Sequence, residues 1–409
     1  MAMAGSAIGL GNIWRFPYMV GQYGGAAFII IYILCSFLLA LPIFLSETII
    51  GRRSRCNTVG AMEKLAPGTA WKWLRLLTVV SPVVILSYYS VVGGWSVEYL
   101  FKSLSFEFTN TEAESIQSLF GRFISSTWEP LITHTLFMLM VAGIILGGVK
   151  SGIERFTKIT MPALFVLIVV MLIFSVSLPG AGAGVSYMLK PDFSKLTMSA
   201  VAAAMGQSFF SLSLGVGTIL TYSSYMREDE NILSAGGWTA FFDTLFALIA
   251  GFAIMPAVFA AGIEPAAGPS LVFETLPVIF SRMGVVLPVV FFLAILIAAL
   301  SSSISMLEVV VAWLVDQKGM RRSHAVLAVF GAAAILGCVC AAAPRVFSTC
   351  DFISSNVLMM IGALVFALIV GWKMPRAKVL EYVHFRFVYW LIRYAAPVMI
   401  VAIAVTNLL

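Results

Sequence analysis

Two glycine-rich segments of the chain combine backbone freedom with polar side chains. AGSAIGLGN occupies residues 4–12 and holds three glycines, and FFSLSLGVG occupies residues 209–217 and holds two. Carbonyl groups that are freed from a helix suit a hard cation such as sodium. N–H groups freed at the start of a half-helix suit a carboxylate. The two segments therefore predict a binding site for a zwitterion beside cations.

Each segment lies inside a long apolar run, so the elements that position it are membrane helices. Glycines in such helices also allow close helix packing, and for one helix alone that explanation is the simpler one. Two interrupted helices in corresponding halves of a chain, however, indicate the binding site of a transporter. The pair, with polar residues interleaved in both members, favours two unwound helices.

The composition places the whole chain in a bilayer. Of 409 residues, 61% are hydrophobic and 11% are charged, against roughly a quarter charged in soluble domains. The calculated pI of 9.1 reflects lysines and arginines in short loops and predicts no nucleic-acid partner. Five cysteines, an odd number that lies mostly in apolar runs, predict no disulfide framework. No cleavable signal peptide is expected.

The apolar runs predict an all-α polytopic membrane protein with about eleven transmembrane helices. The predicted spans are 3–22, 26–53, 75–103, 130–149, 153–177, 197–226, 232–262, 284–317, 323–343, 347–372 and 382–407. Seventeen lysines and arginines fall in one set of alternate loops and six in the other. The positive-inside rule puts the first set, and the N-terminus, in the cytoplasm.

The two glycine-rich segments fall in the first and sixth spans, five helices apart. This spacing predicts a single membrane transporter domain, residues 1–409, made of two five-helix repeats of inverted topology with discontinuous helices 1 and 6. The first repeat covers about 1–177 and the second about 196–372. An extra helix follows at about 382–407.

Three motifs resemble those of the neurotransmitter:sodium symporter family. AMAGSAIGLGNIWRFPY at 2–18 is similar to the first helix of that family, GQSFFSLSLGVGTILTYSSY at 206–225 to its sixth, and AALSSSISMLE at 298–308 to its eighth. The similarity runs over essentially the whole chain. The chain resembles in particular the bacterial amino-acid transporters that have eleven helices. The resemblance implies sodium-driven symport of an amino acid by alternating access.

The resemblance also implies two sodium sites built from oxygen donors, as a hard cation requires. The first would use the Ala7 carbonyl and the side chains of Asn12, Ser211 and Asp243, with the substrate carboxylate. The second would use carbonyls and hydroxyls of Gly5, Ile8, Ala298, Ser301 and Ser302. Serines in membrane helices often only bond a carbonyl one turn back, which is the alternative reading of the last two.

The family's substrate contacts can be placed in the same way. The carboxylate would meet the N–H groups of Leu10 and Gly11 and the hydroxyl of Tyr89. The ammonium would meet carbonyls of Ala7, Phe210 and Ser211 and the hydroxyl of Ser213. The pocket for the side chain would be formed by Ile85, Tyr89, Phe210, Val216, Ser302 and Met306. Without the resemblance, the apolar members of this set would be read as core.

This pocket and the sodium site beside it depart from the family pattern. Val216 replaces a phenylalanine, which enlarges the pocket, and Met306 is adaptable. We therefore expect a hydrophobic or aromatic amino acid such as tryptophan, tyrosine or leucine. Asp243 replaces an asparagine, and Ala247 occupies a position where relatives carry Glu or Ser. Asp243 is expected to supply the fixed negative charge, so that chloride is not required, although Tyr32 and Gln207 match other chloride-site positions.

Further residues match the family's gates. Arg15 and Asp351 match the outer pair, with Tyr89 and Phe210 as the aromatic lid beneath them. Asp316 matches the acidic half of the inner gate. Its arginine partner would lie before the first helix, and we expect the start of the sequence to be truncated or wrongly chosen. A weak inner gate is the alternative.

Two features of the inner half have less specific signals. Gly152 and Pro162 resemble a Gly-x9-Pro pattern that unwinds the fifth helix toward the second sodium site, although a tolerated proline kink is the alternative. Glu47 is expected to cap the unwound part of the first helix, and a salt-paired or snorkelling carboxylate is the alternative.

The predicted function is thus sodium-coupled uptake of a small neutral amino acid, with two sodium ions. A passive channel or an amino-acid sensor of the same fold is the alternative. An enzyme is not expected, because the three histidines form no catalytic or metal-binding signature. The expected location is a bacterial inner membrane, with the lipid bilayer as partner and a monomeric or dimeric state.

Overall fold

The computed structural model describes residues 2–65, 67, 74–108, 113–262, 271–281 and 284–408. Within these ranges the regular structure is helical. Among the described residues, nine helices are long and apolar enough to cross a membrane, and two further apolar helices are broken near their middle. Together they give the eleven crossings that the sequence predicts.

The eleven crossings are numbered here in chain order. They are α1 (Ala2–Ala7, Gly11–Arg15 and Phe16–Gln22), α2 (Ala26–Ser54), α3 (Leu77–Leu104), α4 (Glu129–Leu146), α5 (Ser151–Val176), α6 (Met198–Ser211 and Thr218–Ser224), α7 (Ile232–Ala260), α8 (Val286–Lys318), α9 (Arg322–Ala342), α10 (Pro344–Lys373) and α11 (Arg386–Val405).

Most helix boundaries agree with the predicted spans to within a few residues, and α11 is an exception. The predicted span 382–407 begins within the last two residues of a separate helix, Arg376–Val383, which ends at His384 with φ of 56°. The crossing itself starts at Arg386. A residue in the left-handed region ends a helix because the next N–H can no longer continue the ladder.

Several loops also form short helices that the hydropathy pattern does not predict. They are Thr58–Leu65, Ala113–Ser125, Ala181–Leu189 and Leu276–Ser281. Each is shorter than the roughly 20 apolar residues that a crossing needs, so none changes the number of crossings.

The buried core surrounds the broken helices. α3 packs along α8 and also contacts α4 and α9. α6 packs against α2. α1 contacts α6, α7 and α8 on its different sides. The breaks in α1 and α6 are therefore shielded from lipid, which is the condition for unpaired backbone groups at membrane depth.

Candidate functional site

The two broken helices face each other inside the protein. α1 loses its helical pattern at residues 8–9, after Ala7, and α6 does so at residues 212–217, after Ser211. The Ser213 hydroxyl donates a 3.0 Å hydrogen bond to the carbonyl of Ser6 in α1. The discontinuity that the glycine-rich motifs predict is confirmed, and the two breaks are in direct contact.

The break in α6 depends on a glycine at one position. Gly215 has φ of +81°, and a Cβ built there would lie 2.1 Å from the carbonyl oxygen of Met359 in α10. Any other residue would be strained and would collide with backbone. Gly215 thus lets the unwound segment lie directly on α10.

A buried carboxylate caps this unwound segment. Glu47 of α2 is fully buried, and its Oε1 accepts a 2.7 Å hydrogen bond from the Gly215 N–H. The prediction that Glu47 caps the unwound part of α1 is wrong in this respect, because the bond goes to α6. A backbone N–H freed from its helix at this depth needs an acceptor, and the carboxylate supplies it.

A polar cluster joins α1, α6 and α7. Asn12 Nδ2 lies 2.8 Å from Asp243 Oδ1 and 3.0 Å from Ser211 Oγ. The Ser211 hydroxyl donates to both carboxylate oxygens of Asp243 at 2.9 and 2.8 Å. The three residues are at most 2% exposed. The side chains assigned to the first sodium site are therefore brought together. The Asp243 carboxylate and the Ser211 hydroxyl offer the oxygen donors that a hard cation prefers, whereas Asn12 faces them with its amide nitrogen and its amide oxygen accepts from the Gly9 N–H at 3.0 Å.

A second group of oxygens lies between α1 and α8. The Ser301 hydroxyl is 2.9 Å from the Ala298 carbonyl and 3.3 Å from the Ile8 carbonyl. The first contact is the local bond that a helical serine often makes. The second crosses to the broken helix, which local bonding does not explain.

Two further residues of this predicted site lie beside the group. Ser302 lies against α1 at Gly9, where a Cβ would come within 2.0 Å of the serine hydroxyl. Gly5 instead contacts Thr157 of α5, at 2.4 Å from a built Cβ to Cγ2. The break in α1 is thus held between α5 and α8.

A cavity lies between the broken helices and next to the polar cluster. Ten of the eleven predicted substrate contacts line it, namely Ala7, Gly11, Ile85, Tyr89, Phe210, Ser211, Ser213, Val216, Ser302 and Met306. The eleventh, Leu10, donates its N–H to the Tyr89 hydroxyl at 3.2 Å. The lining also includes Met359 of α10, which the sequence analysis missed.

An aromatic lid and an arginine cover one end of this cavity. The rings of Tyr89 and Phe210 are 6.5 Å apart, and the guanidinium carbon of Arg15 stands 4.5 Å from the Phe210 ring centroid. Arg15 is 9% exposed. Its predicted partner Asp351 accepts a 3.4 Å hydrogen bond from Ser355. Within the described part of the chain no direct ion pair joins Arg15 to Asp351.

The residues assigned to the inner half have other neighbours. Asp316 accepts a 3.1 Å hydrogen bond from Asn57, which precedes the short helix Thr58–Leu65. Gly152 lies in a π-helical turn, Val149–Glu154, and Pro162 lies within the following α-helix. The fifth helix is therefore wound here, although irregular, at the place where unwinding is predicted.

An ion pair with a buried acid joins α8 to α9, and the sequence analysis did not assign it. Arg322 Nη2 lies 2.5 Å from Glu308 Oε2, and Arg322 Nε donates to the Ile145 carbonyl at 3.0 Å. Glu308 is fully buried. An acid at the end of the AALSSSISMLE motif was the available signal, because intramembrane carboxylates are costly and usually functional.

A helical membrane protein with two opposed broken helices around a buried, polar-edged cavity has the architecture of a secondary transporter. The chain belongs to the Sodium:neurotransmitter symporter family, which it matches over residues 1–116 and 105–409. It is therefore a multi-pass sodium-dependent membrane transporter and not an enzyme.

Relatives and a solved structure agree with this assignment. The chain is 34% identical to an uncharacterized sodium-dependent transporter of Haemophilus influenzae, covering 100% of this chain and 96% of that protein. It is 35% identical to the uncharacterized sodium-dependent transporter YhdH of Bacillus subtilis, covering 98% and 94%. The structure of MhsT in complex with L-phenylalanine superposes with a TM-score of 0.94 at 38% identity, covering 99% of this chain and 97% of that one.

Proposed function

We propose that the protein carries a neutral hydrophobic or aromatic amino acid into the cell together with two sodium ions. The observation that supports this most strongly is the place of Ser211. Ser211 lines the cavity, and its hydroxyl belongs to the polar cluster of Asn12, Ser211 and Asp243. A ligand in the cavity and a cation in the cluster would therefore be in contact.

The lining of the cavity supports the substrate class. It contains no lysine, arginine, aspartate or glutamate among the described residues, so a charged substrate side chain would be buried without a partner. Ile85, Val216, Met306 and Met359 offer an apolar wall instead. The similar protein MhsT was solved with L-phenylalanine, which has such a side chain.

The main-chain end of the substrate would lie at the breaks. The N–H of Leu10 points to the Tyr89 hydroxyl, so a carboxylate placed there would meet both groups and Gly11 at the start of the second half of α1. The ammonium would face carbonyls of Ala7, Phe210 and Ser211. Ser213, which donates to the Ser6 carbonyl, would lie beside it.

Two sodium ions would bind on either side of α1. One would be held by Ala7, Asn12, Ser211 and Asp243 and by the substrate carboxylate. The other would be held by Gly5, Ile8, Ala298, Ser301 and Ser302. Because the first ion and the substrate share a contact, each raises the affinity for the other by the same factor. This shared contact is the proposed basis of coupling.

Asp243 would make chloride unnecessary. Its carboxylate is fully buried and contacts both Asn12 and Ser211, so it places a negative charge beside the first sodium ion. Ala247, one turn later, is buried and carries neither charge nor hydroxyl. Transport that depends steeply on chloride would contradict this part of the proposal.

Alternating access would follow from the two ends of the cavity. Arg15, Asp351, Tyr89 and Phe210 would open and close the outer side. On the inner side Asp316 would take part in the gate, and the α5 segment between Gly152 and Pro162 would unwind to let the second sodium ion leave.

The proposed orientation has the N-terminus in the cytoplasm of a bacterial cell and the protein in the inner membrane. The halves 1–177 and 196–372 would form the inverted repeats of one transporter domain, with 382–407 as an appended region. A neutral zwitterion with two sodium ions moves two charges. The membrane potential alone would then contribute about 4 to 5 kcal/mol per cycle at 100 mV.

Uptake into proteoliposomes tests this function. The purified protein is reconstituted, and accumulation of each of the twenty amino acids is measured with an inward sodium gradient and with choline in its place. Concentrative uptake of phenylalanine, tryptophan, tyrosine or leucine that needs sodium is the expected result. Equilibration without concentration would indicate a channel, and binding without flux would indicate a sensor. Uptake of charged amino acids only would refute the substrate class.

A further inference from the structure

A cage of aromatic side chains and two arginines lies where α10 ends and α11 begins, far from the transport cavity. Both helices contain a π-helical turn there, Ile369–Lys373 in α10 and Leu391–Ala395 in α11, and the two turns contact each other. Gly371 permits this, because a Cβ on it would lie 2.8 Å from the Arg393 Cα. Single π-turns inside α-helices are frequently found at functional sites.

Arg393 is held within this cage. Its guanidinium carbon is 4.7 Å from the Trp372 ring centroid and 5.4 Å from that of Tyr394. Its Nη1 donates to the Tyr389 hydroxyl at 2.8 Å. Its Nε is buried and has no hydrogen-bond partner in the structure. A guanidinium N–H without an acceptor is costly, so Arg393, which is half-buried, can accept a further anionic partner.

A second arginine approaches the same ring. The guanidinium carbon of Arg376 is 5.6 Å from the Tyr389 ring centroid, and that of Arg393 is 5.9 Å from it. In the described ranges neither arginine forms an ion pair, and Glu381 is the only acid between residues 368 and 409. Two like charges beside one ring repel each other unless an anion lies between or near them.

The cage reaches the protein surface. Trp372 is 56% exposed and Trp390 is 52% exposed. Exposed tryptophans beside arginines are typical of the level at which lipid headgroups meet acyl chains. The anion with access to this position is therefore the phosphate of a membrane lipid.

An apolar groove lies between the same two helices, farther along them from the cage. Its lining includes Ile361, Leu364, Ile400 and Ala404. Ile361 precedes Trp372 by eleven residues and Ala404 follows Arg393 by eleven, which is three helical turns or roughly 16 Å. Groove and cage thus lie along the same pair of helices, and the groove lies at the depth that an acyl chain reaches from a headgroup in the cage.

We propose that this cage and groove form a binding site for one anionic phospholipid. Arg376 and Arg393 bind the headgroup phosphate, Trp372 and Tyr394 flank it, and one acyl chain lies in the groove between α10 and α11. The site joins the last crossing to the rest of the bundle. A bound lipid therefore stabilises the packing of α11 on α10.

Native mass spectrometry and thermal melting of the purified full-length protein test the site. Phosphatidylglycerol, phosphatidylcholine and free glycerol phosphate are added to the delipidated protein in detergent. Retention of phosphatidylglycerol, with a raised melting temperature, is expected in preference to the other two. Equal retention of phosphatidylcholine, or equal binding of free glycerol phosphate, would overturn the proposal.

Variants separate the site from general charge. Arg376→Gln and Arg393→Gln are each expected to weaken phosphatidylglycerol binding about fivefold, the effect of one cation near an anionic headgroup. Arg386→Gln is the matched control, because it removes an exposed cation from the same region and is expected to change binding little. Ala404→Phe fills the groove and is expected to weaken binding with both arginines intact.

Arg376 is exposed, so Arg376→Gln keeps the test valid if Arg393→Gln fails to fold. Unchanged lipid binding in both Arg376→Gln and Ala404→Phe would refute the site. Binding that falls equally in Arg386→Gln would show only a diffuse basic surface and would refute it as well.

Discussion

Replacing Asp243 by asparagine removes the carboxylate charge from the cluster formed by Asn12, Ser211 and Asp243 and preserves the shape of the side chain. The Asp243 oxygens lie 2.8 to 2.9 Å from Asn12 Nδ2 and Ser211 Oγ. An asparagine can keep one of these contacts through its amide oxygen. The main change is therefore electrostatic, and we expect sodium affinity to fall.

The size of the loss follows from the charge. Two unit charges about 4 Å apart interact by about 4 kcal/mol at an effective dielectric constant of 20. The asparagine oxygen can still act as a ligand, so we expect a loss of about 2 to 4 kcal/mol in sodium binding. This corresponds to roughly a 30- to 1,000-fold rise in the sodium concentration for half-maximal binding.

The assay is the sodium dependence of phenylalanine uptake in proteoliposomes, measured for the wild type and for Asp243→Asn with chloride or gluconate as the anion. The wild type should respond equally to both anions. Chloride should restore part of the sodium affinity of the variant. Asp229→Asn is the control, since it removes an exposed acid that pairs with Arg227. An Asp243→Asn variant with unchanged sodium dependence would refute the assignment of the charge to this site.

Further predictions concern the break in α6 and the outer end of the bundle. Gly215→Ala should lower the melting temperature strongly and abolish uptake, because Gly215 has φ of +81° and an added Cβ would collide with α10. Gly143→Ala should be tolerated, because an added Cβ at Gly143 has open space around it. Equal effects of the two substitutions would contradict this prediction. Glu47→Ala should cost about 1 to 3 kcal/mol of stability by leaving a buried N–H unpaired, and melting of Glu47→Gln, which keeps an acceptor, should show a smaller loss. Cys340 and Cys350 have sulfur atoms 3.9 Å apart, so a copper–phenanthroline oxidant should join them as a disulfide, detected by peptide mapping; two free thiols after oxidation would show that these helix ends are farther apart.

The glycine motifs predicted the breaks correctly because their cause is local. A helix that continued through Gly215 and its neighbours would be unstable, and the polar residues around them need partners inside the protein. The motif resemblance also placed Asn12, Ser211 and Asp243, which come from three helices, in one cluster. The cluster itself depends on packing over more than 200 residues of sequence, which periodicity alone does not provide.

Other features depend on tertiary contacts that leave no local signal. Glu47 faces the broken helices from α2, and its position in the sequence does not decide which of them it caps. Met359 is one apolar residue in an apolar run, so its place in the cavity wall follows only from how α10 packs on Gly215. The π-turn at Ile369–Lys373 packs on the π-turn of α11, and the apolar run itself does not specify this contact.

Sodium and phenylalanine binding, measured in both directions on the purified protein, tests the shared contact at Ser211 most directly. The dissociation constant of phenylalanine is determined in sodium and in choline, and that of sodium with and without phenylalanine. We expect both affinities to rise by the same factor when the other ligand is present. Phenylalanine binding of equal strength in sodium and in choline would contradict the coupled site.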